Sequence, residues 1–225
     1  MNKNILIGQA IQRNSFEKNI YRFKVILVGN LAVGKSSILK KFKNNKFNPK
    51  YQCTINVDIQ IDSIAIDEEN IVDLQIWDTC GQETFRNLTR QYYNNSQGCL
   101  LIFDLTDRYS FEKLQDWILD IQQYGPVDCV VVVVGNKADL DKERVVSFDE
   151  ASELAKKYQL DYIETSAKNG MNISFIFTYI ASVILKHNQE EEYTKNKINY
   201  SNGVVISNNT IIINNNCEHR KKCCW

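Results

Sequence analysis

The chain has 225 residues, seven cysteines and equal numbers of basic and acidic side chains, 27 of each, for a formal net charge of zero. That length can bury one substantial core with a tail left over, and the balanced charge gives no whole-molecule attraction toward nucleic acid. The cysteines are scattered and odd in number, unlike a disulfide framework; the start lacks the sustained apolar core and cleavage site of a secretory signal, and the longest apolar run is far too short to span a bilayer.

In chain order, residues 1–21 are polar and weakly patterned and read as a mobile extension. FKVILV (23–28) reads as a strand and SSILKKFK (36–43) as a helix. NVDIQIDSIAI (56–66) and IVDLQIW (71–77), joined by DEEN, read as a hairpin of β-branched strands. GCLLIFDL (98–105), CVVVVVG (129–135) and DYIET (161–165) supply three further strands. Between them lie helical stretches at 111–124 and 149–160, the second preceded by Ser147 and Glu150 at the spacing of a capping box. In the stretch 173–187, Ile173, Phe177, Ile180 and Ile184 fall on one helical face. Strands alternating with helices predict an α/β fold, a mostly parallel sheet with one antiparallel edge and helices on both faces. From 188 to 225 the chain turns Asn-rich and aperiodic and reads as a flexible tether, its two short Ile/Val patches having no evident partner.

The chemistry lies at strand ends. GNLAVGKSS (29–37) follows the first strand and opens the first helix, the G-x-x-x-x-G-K-[ST] spacing of a phosphate loop. Gly29, Asn30, Leu31, Ala32, Val33, Gly34, Lys35, Ser36 and Ser37 form the expected phosphate-binding stretch, in which the backbone N–H groups of residues 31–36 converge on phosphates at a helix N-terminus. Lys35 is expected to reach the β- and γ-phosphates, and the Ser36 hydroxyl to bind Mg²⁺. WDTCGQE (77–83) ends the hairpin. Asp78 is placed to support the metal through water, Gly81 to let the backbone approach a γ-phosphate, and Gln82 to orient the attacking water as the catalytic side chain. NKAD (136–139) ends the valine strand. The Asp139 carboxylate can accept paired hydrogen bonds from the ring N–H and amine of guanine, a pattern adenine lacks. Asn136 ties the neighbouring loops and bonds the base edge, and the Lys137 stem covers the ring. TSAK (165–168) follows the last strand and presents Ser166, Ala167 and Lys168 to the guanine oxygen.

Four elements at strand ends in this order resemble a Ras-superfamily small GTPase, and within it the Rab family, over residues 22–187. INVDI, LQIWDTCGQE, FRNLT, YYNNS and LIFDLT are similar to Rab stretches. The resemblance implies a P-loop NTPase G-domain with a six-stranded sheet. It implies that Phe47 packs on guanine, that Tyr51 lies in the first switch and that Thr54 completes the Mg²⁺ shell. The tail ends HRKKCCW. A C-a-a-X box would need a cysteine four positions from the end, where this chain has Lys222. Paired terminal cysteines in Rabs are geranylgeranylated, which points to Cys223 and Cys224, and two lipid chains anchor stably where one does not.

The implied function is a GTP/GDP switch that hydrolyses GTP with Mg²⁺ and recruits effectors in vesicle trafficking. Its implied partners are an exchange factor, a GTPase-activating protein and an escort or GDP-dissociation inhibitor, with no nucleic acid. Its implied place is the cytoplasmic face of intracellular or plasma membranes, by lipid anchor, with a cytosolic pool. Leu31 stands where the family carries a small residue beside the γ-phosphate. Crowding of Gln82 there gives the alternative, a GTP-binding recruitment module with little hydrolysis. A P-loop kinase or ATPase is disfavoured by NKAD.

Overall fold

The computed structural model describes residues 18–48, 54, 57–79, 86–201, 204–207 and 210–213. The apolar runs build one six-stranded sheet. β1 (Asn19–Val28), β3 (Asn70–Asp78), β4 (Gly98–Asp104), β5 (Val130–Asn136) and β6 (Asp161–Glu164) run parallel, and β2 (Asp58–Ala65) pairs antiparallel with β3. Their order is β2-β3-β1-β4-β5-β6. Every residue of β4 is buried, and all of β5 except Val131. A parallel strand covered on both faces must be apolar on both, so these read as unbroken runs. β2, at the edge, has no buried residue.

Successive side chains of β1 serve opposite faces, as the pleat requires. Val25 and Leu27 join a core with Ile38 of α1 (Lys35–Asn44) and with Phe177 and Ile180 of α6 (Ile173–Ser201). Ile26 and Val28 join a second core with Tyr93 of α2 (Arg86–Tyr93), Phe111 of α3 (Arg108–Glu112), Trp117 of α4 (Leu114–Tyr124) and Ala151 of α5 (Phe148–Lys157). The helices after the adjacent strands β1 and β4 thus leave to opposite faces. The crevice that opens at the carboxyl ends of such a pair is where ligands bind in open α/β sheets.

Several local expectations shift. β1 starts at Asn19, inside the stretch expected to be a mobile extension. The expected helix at 111–124 starts earlier, at Arg108, because the Asp107 carboxylate accepts the Tyr109 N–H at 3.0 Å and caps it; α3 and α4 then meet at Lys113. Ser147 caps α5 by accepting the Glu150 N–H at 3.2 Å, but the Glu150 carboxylate pairs with Arg108 and does not close the expected capping box.

The largest difference is α6, which continues through Ser201 into the stretch expected to be a tether. Residues 189–194 are exposed, so no apolar stripe marks this extension in the sequence. The two Ile/Val patches pair with each other, as antiparallel strands β7 (Val204–Ser207) and β8 (Thr210–Ile213).

Candidate functional site

Beyond Val28 the chain turns across the carboxyl edge of the sheet and enters α1. Gly29 has φ 134°, and a β-carbon there would lie 2.0 Å from the Ile102 carbonyl oxygen. Gly34 has φ 101°, and a β-carbon would lie 2.2 Å from Asn136 Nδ2. Only glycine fits both the backbone and the space at these two positions. Ala32, between them, also adopts the left-handed region, at φ 64°. Val33 is buried in the core shared by α1 and α6 and pins the loop from below. The Lys35 ammonium donates to the carbonyls of Gly29 and Asn30, both at 2.8 Å, which fixes it inside the turn. The loop runs into the N-terminus of α1, where unpaired N–H groups and the helix dipole favour an anion.

Beside the loop, three oxygen-bearing side chains meet. The Ser36 hydroxyl donates to Asp78 Oδ2 at 2.5 Å, and Thr54 Oγ1 lies 2.7 Å from Ser36 Oγ. Asp78 is at the very end of β3 and almost fully buried. Burial pushes its carboxyl above the ordinary value, against the pull of the Ser36 hydroxyl and the Lys35 charge. Its second oxygen, Oδ1, is buried and has no hydrogen-bond partner. A buried carboxylate oxygen left unmatched beside two hydroxyls is a set of hard donors that fits a small divalent cation such as Mg²⁺.

At the other end, Asn136 holds three loops together. Its Nδ2 donates to the Val33 carbonyl at 2.9 Å, while its Oδ1 accepts from the Ala167 N–H at 3.2 Å and the Thr165 hydroxyl at 3.3 Å. The Ser166 hydroxyl donates to Asp139 Oδ1 at 2.5 Å, and Lys168 Nζ lies 3.5 Å from Asp139 Oδ2. Lys137, at φ 68°, pairs with Asp104 at the end of β4. The strand that delivers residues 165–168 is clamped as well, because Arg144 forks onto both oxygens of Glu164 at 2.8 Å. Burial raises the Glu164 carboxyl, but the Arg144 and Tyr162 bonds outweigh it and leave the group below its usual range.

Both ends open onto one cavity of about 390 Å³. Of the residues singled out in the sequence, Leu31, Ala32, Gly34, Lys35, Ser36 and Ser37 line its phosphate end, with Thr54. Phe47, Asn136, Lys137, Asp139, Ala167 and Lys168 line the rest. Gly29, Asn30, Val33, Asp78 and Ser166 stand behind this surface as supports. Gly81, Gln82, Tyr51, Cys223 and Cys224 lie outside the described residues. Lys40, Lys46, Asn48, Thr79 and Leu140 also line the cavity and were not foreseen. Thr79 lies inside the 77–83 stretch without having been given a role, and Leu140 directly follows Asp139, so extending that motif by one residue would have found it. Nothing local distinguishes Lys40 or Lys46 from other surface lysines.

The model of the Ras family matches residues 24–186. The chain belongs to that family. It is 41% identical to Ras-related protein Rab-1 of Theileria parva over 165 residues, 73% of this chain and 74% of the relative. It is 39% identical to human Ras-related protein Rab-19 over 180 residues, 80% of this chain and 82% of the relative, and 40% identical to its mouse counterpart over 182 residues, 80% of this chain and 83% of the relative. Within the family it is a Rab-like small GTPase.

Proposed function

We propose that this Rab-like GTPase binds GTP and GDP in the cavity between the phosphate loop and the 136–139 and 165–168 loops, and that it acts as a switch in vesicle trafficking. The observation that carries the reading is the single cavity with a left-handed, glycine-built anion loop at one end and a carboxylate, Asp139, held in place at the other. Backbone N–H groups over residues 29–37 and the Lys35 ammonium take the phosphates. Asp139 accepts from guanine, the N–H groups of Ser166, Ala167 and Lys168 meet its oxygen, and Phe47 and the Lys137 stem cover its faces. Ser36, Thr54 and Asp78 would hold Mg²⁺, which when bound would neutralise phosphate charge.

Gln82 orients the water that attacks the γ-phosphate in line, and Gly81 donates its N–H to the γ-phosphate. The low-hydrolysis alternative built on Leu31 gains no support over this reading from the comparisons. No helix among the described residues is long and apolar enough to cross a membrane. Attachment is assigned to lipid on Cys223 and Cys224, with an exchange factor, a GTPase-activating protein, a GDP-dissociation inhibitor and trafficking effectors as partners.

The test is nucleotide binding by the full chain with and without Mg²⁺, GTP against ATP, followed by single-turnover hydrolysis. Mg²⁺-dependent binding of GTP that ATP does not displace supports the reading, and equal binding of both nucleotides sinks it. Replacement of Cys223 and Cys224 by Ser is expected to release the protein from membranes; retention there would place the anchor elsewhere.

A further inference from the structure

Trp117 sits on α4, away from the cavity wall, and nucleotide binding as described above gives it no part. Its indole N–H nevertheless donates to Asn30 Oδ1 at 2.6 Å, across 87 positions of sequence. Both residues are buried, at 2% and 5% exposure, so water does not compete for the bond. Asn30 is held twice, its side chain by the indole and its carbonyl by the Lys35 ammonium. Leu31, the next residue, lines the cavity. Trp117 itself is wedged in the core beneath β1 and β4 with Ile26, Val28 and Leu101, so the indole is a fixed point. The far part of the loop has other supports: Val33 in the opposite core, and Asn136 bonded to the Val33 carbonyl. Only the start of the loop hangs from α4.

We propose that Trp117 is a positioning residue for hydrolysis: through Asn30 it sets where Leu31 stands on the γ-phosphate side, and it governs the hydrolysis rate more than the hold on the diphosphate. This rests on the reading of the cavity as a guanine-nucleotide site. The diphosphate is gripped by the later N–H groups of the loop and the start of α1, which do not depend on the indole. The γ-phosphate side does depend on it, and small displacements at a reacting centre are costly in rate.

Trp117→Phe removes the donor and keeps an aromatic ring in the core; Asn30→Ala removes the acceptor. Each is expected to slow single-turnover GTP hydrolysis by about tenfold while GDP affinity stays within about threefold. Because both delete one bond, the double variant should be no slower than the slower single. Ile121→Val, a trim on the same buried face of α4, serves as the packing control and should hydrolyse at the parent rate. The proposal is overturned if Trp117→Phe hydrolyses like the parent, if the two losses multiply in the double variant, or if GDP affinity falls in step with the rate. A parent chain that binds neither GTP nor GDP in the opening titration overturns instead the cavity reading beneath it.

Discussion

At the base end of the cavity the protein satisfies its own polar groups. Asn136 makes three bonds to two neighbouring loops, and Asp139 already has a hydroxyl and an ammonium in place. At the phosphate end Asp78 Oδ1 is buried and unmatched, one of two such side-chain atoms among the described residues, the other being Trp77 Nε1. The difference separates two jobs. A group that must discriminate between bases gains from being rigid before the base arrives, because a wrong base then leaves fixed donors and acceptors unpaired. A group that must report the state of the nucleotide gains from being incomplete without its ligand, because binding then changes its energy.

The largest expected effect is at the rigid end. Asp139→Asn replaces an acceptor with a group that can donate, so GTP affinity should fall by about 10³-fold or more while xanthosine triphosphate gains. Competition between the two nucleotides measures this, and an unchanged preference would mean the template is not where Asp139 stands. Next is Ser36→Asn at the incomplete end, which removes the hydroxyl shared by Asp78 and Thr54. GTP affinity with Mg²⁺ should drop by about a hundredfold and lose most of its Mg²⁺ dependence. Titration with and without chelator reads it; full Mg²⁺ dependence in the variant would break the assignment of the ligands.

A smaller effect is expected from Leu31→Gly. The side chain is 43% exposed and faces the cavity, so removing it should raise hydrolysis a few-fold, more with an activating protein present, at nearly constant GTP affinity. A rate no faster than the parent in either condition would show that bulk at this position does not limit the reaction.

The smallest effect concerns pH. Burial raises the Asp78 carboxyl above its ordinary value of 3.8. A raised carboxyl contributes stability that is fully present below that value and is lost as pH climbs through the raised one, where the buried group must ionise. Without nucleotide or cation, Asp78→Asn should therefore melt higher than the parent at about pH 7, with the gap closing toward about pH 4. Added Mg²⁺ should narrow the gap at neutral pH by stabilising the parent's carboxylate. A gap that does not vary with pH would remove Asp78 as the unfinished group.

Much of this site was legible because its residues cluster at strand ends in short, chemically specific groups. The phosphate loop, Asp78, Asn136 and Asp139 each announce themselves within a few neighbouring positions. What was not legible is how those groups are held. Trp117 reaches Asn30 over 87 positions, and Arg90 on α2 reaches the buried Asp120 on α4 over 30. Lys137 reaches Asp104 from the neighbouring strand end. Such pairs are set by sheet order, and sheet order leaves no periodic trace in the chain. The same limit explains Glu150: its spacing from Ser147 suggested a local bond, but Arg108, 42 positions away, takes both of its carboxylate oxygens in a forked pair.

The last consequence belongs to α6. Leu185 is the end of its buried face, yet the helix runs on to Ser201, about 24 Å further at 1.5 Å per residue. That overhang is a boom. It moves the point from which everything downstream departs away from the body of the protein, and it gives that point a direction that an unstructured chain of equal length would lack. Ser201 is thereby carried out on turns of helix that stand exposed along residues 189–194.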